Sequence, residues 1–142
     1  MKYKLTENYI VLLDNKKLYQ IQALKDFGDV KAGDLGGWIE DIKNLSQKYD
    51  CWVYDNAVVT GYARIYKNAK ICQNAKVFDS AKVGGDAMIY GDAMIYGDAK
   101  VYGDAEIFGN ANIFGFAEVC GYHHMKNDSF SIAEKINFQF IN

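Results

Sequence analysis

Residues 85–115, GDAMIYGDAMIYGDAKVYGDAEIFGNANIFG, spell nearly the same six letters five times. Alanine recurs at every sixth position from Ala57 to Ala117, and Val or Ile stands two places after each alanine, from Val59 to Val119. Cys51 and Val53 extend the frame one unit earlier, so twelve hexads lie between 51 and 122. In an extended strand alternate residues share a face, so the alanine and the aliphatic residue both point inward while the residue between them points out. The remaining letters, commonly Gly-Asp, Lys-Asn or Gly-Asn, carry turn chemistry. A helix needs apolar residues at a period near 3.6, which six does not supply.

Hexads that cannot bury their own apolar side must stack, and the stack is a parallel β-solenoid. Three sides per turn make a coil of eighteen residues, so the twelve hexads predict about four triangular coils. At a strand spacing of about 4.8 Å the rod is roughly 20 Å long. The inward aliphatic column is the expected core.

Composition narrows the class further. A 142-residue chain with 50% hydrophobic residues is long enough for one unit and too apolar for a disordered solvating segment. Its net charge of -2, from 16 basic and 18 acidic residues, excludes the electrostatic footprint of a strong duplex binder. The apolar run Ile10 to Leu13 is too short for a secretory core or a membrane span, so a cytoplasmic protein without membrane contact is expected. Cys51, Cys72 and Cys120 have no CxxC spacing and leave an odd thiol, against both a zinc site and a disulfide framework.

The flanks read differently. YIVLLDNKKLYQIQAL sets two strand-like runs around Asp14-Asn15, which predicts a hairpin capping the first coil. GDLGGW lets backbone pass close to its neighbours before Trp38; a phosphate-cradling loop is the alternative, but no Lys-Ser or Lys-Thr follows. INFQFIN alternates as a strand, with Ile136, Phe138 and Phe140 on one side, and serves as a second cap or as a strand offered to another chain. The expected division is an N-terminal cap and leader over 1–50, the β-helix over 51–122 and a C-terminal tail over 123–142.

The hexads resemble the hexapeptide repeats of left-handed β-helix proteins, best known from bacterial acyltransferases. The leader LYQIQALKDFGDVKAGDLGGWIEDIKNLS is similar to that of YdcK-like phage and prophage repeat proteins. The left hand is implied by the resemblance alone, since parallel crossovers are generally right-handed, and a right-handed solenoid is the alternative. A phage origin implies a host bacterial cytoplasm and a role in blocking host defence. Such a protein obstructs a nuclease complex, as an anti-CRISPR does, or sequesters a signalling nucleotide.

Acyltransferases with this repeat generally use a histidine as general base and a loop extruded from one coil. Here no histidine lies within the hexads and no insertion breaks them. His123 and His124 follow the last hexad, and adjacent residues of an extended segment point opposite ways. The reading therefore leans away from catalysis and assigns no catalytic residue and no cofactor. Asp86, Asp92, Asp98 and Asp104 invite a calcium site, yet a spacing of six puts successive aspartates on different corners and only Asp86 and Asp104 should stack. They read as corner residues, and no metal is assigned.

The outer surface carries what remains. The first side should present Trp52, Tyr54, Met88, Tyr90 and Phe108, and an apolar face of that kind predicts a homo-oligomer, dimer or trimer, with Phe138 and Phe140 of the tail added to its interface. The second should present Phe78, Met94, Tyr96 and Phe114. The third mixes cations with rings, and Arg64, Tyr66, Lys82, Lys100 and Tyr102 are the expected partner-binding residues, for a host protein, a nucleoprotein or a nucleotide. A binding protein is thus the leading reading. A hexapeptide-repeat acyltransferase and a virion or assembly component are the alternatives.

Overall fold

The structure is a computed structural model that describes residues 1–122 and 124–132. Every alanine of the frame from Ala57 to Ala117 and every aliphatic residue two places on is fully buried or within 1% of it. Two-residue strands stack in parallel with a register of eighteen: Val59 pairs with Val77, Val77 with Ile95, and Ile95 with Ile113. The three sides form sheets of five, eight and four strands. The inward column is the core, as the hexad predicts.

Corners close each hexad in the left-handed backbone region, at Asp55, Gln73, Gly91 and Gly109 on one edge and at Gly61, Asp79, Gly97 and Gly115 on the next. A residue with a β-carbon is strained there by about 1–2 kcal/mol. The early coils offset this with side chains that reach one coil on. Asp55 accepts from the Gln73 N–H at 3.0 Å, Gln73 Oε1 from the Gly91 N–H at 2.8 Å, and Asp79 from the Gly97 N–H at 3.0 Å. Later corners use glycine because backbones meet: a β-carbon on Gly85 would lie 2.6 Å from the Gly103 nitrogen.

The solenoid has five turns rather than about four, because both flanks continue it. Strands β1 (Tyr3–Val11) and β2 (Lys17–Ala23) form the expected antiparallel hairpin, with Asn15 at φ 67° in its turn. Strand β3 (Leu35–Ile39) pairs antiparallel with β2 and then parallel with the repeats, Ile39 standing over Val59. A 3₁₀ turn follows at Ile42–Asn44, and Leu45 bridges to Ile65. Ile39 and Leu45 therefore fill two aliphatic slots of a first coil that Val53, already in the hexad frame, completes. At the far end Met125 pairs with Ile107, and Phe130 with Ile113 at a spacing of seventeen.

The glycines of GDLGGW do let backbones approach: β-carbons on Gly36 and Gly37 would lie 2.6 Å from the Val53 and Ala57 carbonyl oxygens, respectively. The leader also corrects one surface expectation. Trp52 is 1% exposed, because Tyr3 and Phe27 pack edge-on against it with ring centroids 6.1 and 5.3 Å away. Lys2 is buried beside it and donates to the Cys51 carbonyl at 2.8 Å, with burial pushing its pKa down. Among the described residues no helix is long and apolar enough to cross a membrane.

Candidate binding face

The third side places its cations as the repeat predicts. Arg64 pairs in register with Lys82, Lys82 with Lys100, and Lys100 with Glu118. The three cations are exposed, and none has an acidic partner within ion-pair distance among the described residues. Tyr66 and Tyr102, half-buried, follow their strands at the corner position. Gly84 stands between them in the same column, and the Tyr66 ring fills the space a β-carbon at 84 would take. Burial there raises the Tyr66 pKa.

The 3₁₀ turn adds groups that the hexad count leaves out. Asn44 is buried and fully engaged: its Oδ1 accepts from Asp41 and Glu40 N–H groups at 2.8 and 3.1 Å, and its Nδ2 donates to Ala63 and Gly61 carbonyls at 2.9 and 3.1 Å. This bolts the turn onto the solenoid and brings Lys43 beside Arg64. Two cavities flank the turn. One, of about 620 Å³, is lined by Lys16, Lys43, Arg64 and Tyr62 together with Glu40 and Asp41. Its carboxylates are occupied: Glu40 accepts from Gly61 N–H at 2.7 Å and faces Lys16 at 3.9 Å, while Asp41 accepts from Lys43 N–H at 2.8 Å. The other, of about 540 Å³, is bordered by Lys43, Arg64, Lys82 and Tyr66. A sequence signal for the turn existed in the Asp41 to Asn44 capping box, IEDIKN, but its contact with the repeats had no periodic trace.

The apolar sides are less open than expected, because their rings cover one another. Tyr90 stacks on Phe108 with centroids 4.9 Å apart, and Phe78, Tyr96 and Phe114 form a three-ring ladder at 4.9 and 5.1 Å, all within 4° of parallel. Tyr54 is drawn to the leader instead, donating to Asp29 at 2.7 Å. Met88, Tyr90 and Phe108 remain half-buried on the first side. Phe138 and Phe140 lie outside the described residues. Exposed large apolar side chains include Tyr9, Val11, Leu13 and Leu35 on the leader and Tyr62 and Tyr122 on the solenoid.

His124 is exposed on the first side with Nδ1 3.4 Å from Glu106, while His123 lies outside the described residues. Among the described residues no group of three or more His, Cys, Asp or Glu is placed to hold a metal. Asp86 instead accepts from Asn68 Nδ2 at 3.2 Å across the corner. Cys51 and Cys120 are buried free thiols, and burial with the Asp55 charge pushes Cys72 up to about 11.

No family model matches the chain. It is similar to the uncharacterized acetyltransferase YdcK of Escherichia coli (strain K12), with 49% identity over 55 residues. That stretch spans 38% of this chain and 17% of the relative. The likeness and the solenoid together fit a hexapeptide-repeat β-helix.

Proposed function

We propose that the chain is a non-enzymatic binding protein that offers the third side of its solenoid to a macromolecular or phosphate-bearing partner. The observation that carries this reading is the column Arg64, Lys82, Lys100, three exposed cations in strand register without acidic partners among the described residues. Like charges one strand apart, about 4.8 Å at the backbone, repel, and a bound anion relieves the repulsion. Tyr66 and Tyr102 in the adjoining column supply rings against which planar groups stack. A phage- or prophage-encoded inhibitor of host defence, obstructing a nuclease complex or sequestering a signalling nucleotide in the bacterial cytoplasm, rests on the leader resemblance alone. Self-association as a dimer or trimer through Met88, Tyr90 and Phe108 belongs to the same reading.

The test is retention of a host partner on immobilised wild type and on the Arg64→Glu, Lys82→Glu, Lys100→Glu triple variant, with light scattering on both. Loss of the partner at unchanged mass supports the reading. Equal retention removes the third side from it.

Acyl transfer is the second reading, favoured by the partial likeness to a relative named as an acetyltransferase. Release of free thiol from acetyl-coenzyme A with an amine or sugar acceptor, lost on His124→Ala, would decide for it.

A further inference from the structure

The cavity of about 540 Å³ between the 3₁₀ turn and the third side differs from the exposed column in what it assembles. Lys43 reaches it from the turn, Arg64 and Lys82 from successive coils, and no carboxylate lines it. Its walls also include the exposed apolar side chains of Met1 and Ile42, so cations stand around an apolar floor. The Tyr66 ring borders the same space and is fixed by its seat on Gly84. Gln47 forms part of the wall, and its amide is already committed: it accepts from the Lys2 and Tyr3 N–H groups at 2.8 and 3.2 Å and donates to the Tyr3 carbonyl at 3.3 Å. The wall is therefore built before any ligand arrives.

We propose that this cavity is a binding site for a nucleoside phosphate, an inference that rests on the third side being the binding face. Three cations bordering one concavity neutralise a di- or triphosphate better than a single column does, because all three can reach the same ligand. The apolar floor and the Tyr66 ring take the planar base, for which a phosphate site alone has no use. The volume falls in the range of small-ligand sites, about 300–1,000 Å³. Asp41 is the nearest acid on the turn, and it lines the neighbouring cavity with its carboxylate held by the Lys43 N–H. Lys100 lies one coil beyond Lys82 and does not line the site, whereas Arg64 and Lys82 belong to both the cavity and the column.

The experiment is calorimetric titration of the full chain with ADP, adenosine and inorganic phosphate. ADP should saturate, and adenosine or phosphate alone should bind at least about tenfold more weakly, each lacking half of the contacts. Lys43→Glu should weaken ADP by at least about tenfold, and Lys43→Ala by less, while Lys76→Glu, an exposed position on the second side, should leave it within about twofold. Absence of ADP saturation, or equal losses in Lys43→Glu and Lys76→Glu, would overturn the site. If ADP fails while a labelled oligonucleotide still binds wild type and is lost in the triple glutamate variant, the cavity falls and the binding face stands.

Discussion

The ring of Tyr66 occupies the space that a β-carbon at Gly84 would fill. Gly84 is not in the left-handed region, so its backbone accepts alanine and the ring alone must move. Gly84→Ala is expected to turn Tyr66 toward solvent and return its raised pKa toward the ordinary value, since burial is what raises it. NMR titration of the Tyr66 ring carbon checks this. An unchanged titration midpoint would mean that another residue shelters the phenol.

Inside and outside alternate within each strand, and Lys100 and Val101 are one such pair, exposed and fully buried. Val101→Asp places an unpaired charge in the core column and should cost about 3–5 kcal/mol. Lys100→Asp changes a solvated position and should stay within about 0.5 kcal/mol. Chemical denaturation of the two variants measures the difference.

The period of six made the core legible residue by residue, because strict repetition leaves only one way to face Ala and Val inward. What it hid lies where repetition stops. Leu45 and Val53 are eight apart rather than six, so a hexad count that begins with Val53 misses the two earlier sides of the first coil, at Ile39 and Leu45. Trp52 occupies an outward slot, yet Tyr3 and Phe27, distant in sequence, cover it. The cation column followed from an eighteen-residue register. Lys43 did not, since only the tertiary bonds of Asn44 bring its turn to Arg64. Spacing alone does not show that rings eighteen residues apart cover one another, as the near-parallel pairs do.

Tyr96 is the middle rung of a ladder and touches rings on both sides, whereas Phe114 stacks on Tyr96 alone among the described residues. At about 0.5–1.5 kcal/mol per aromatic pair, Tyr96→Ala forfeits about 1–3 kcal/mol of stacking and Phe114→Ala about half of that. Thermal unfolding of both variants, with Tyr90→Ala as a single-pair control, tests the ranking.

Asp29 ties the leader to the first side through Tyr54, at 2.7 Å, and Lys70, at 3.7 Å. The Tyr54 hydrogen bond and then the Lys70 charge hold its carboxyl below the ordinary 3.8. Its contribution to stability is therefore fully present above pH 3.8 and lost as pH falls through the lower folded-state value. Tyr54→Phe should reduce stability at neutral pH and converge on wild type in acid. A gap that stays constant down to pH 2 would assign the loss to packing instead.

The central claim is that the column Arg64, Lys82, Lys100 recognises phosphate. Fluorescence anisotropy of a labelled single-stranded oligonucleotide, titrated with wild type and with the triple glutamate variant at two salt concentrations, tests it most directly. The account predicts binding that weakens with salt and disappears in the variant, with a salt slope of about -0.7 per phosphate contacted. Binding of equal strength by wild type and variant, or wild-type binding indifferent to salt, would contradict it.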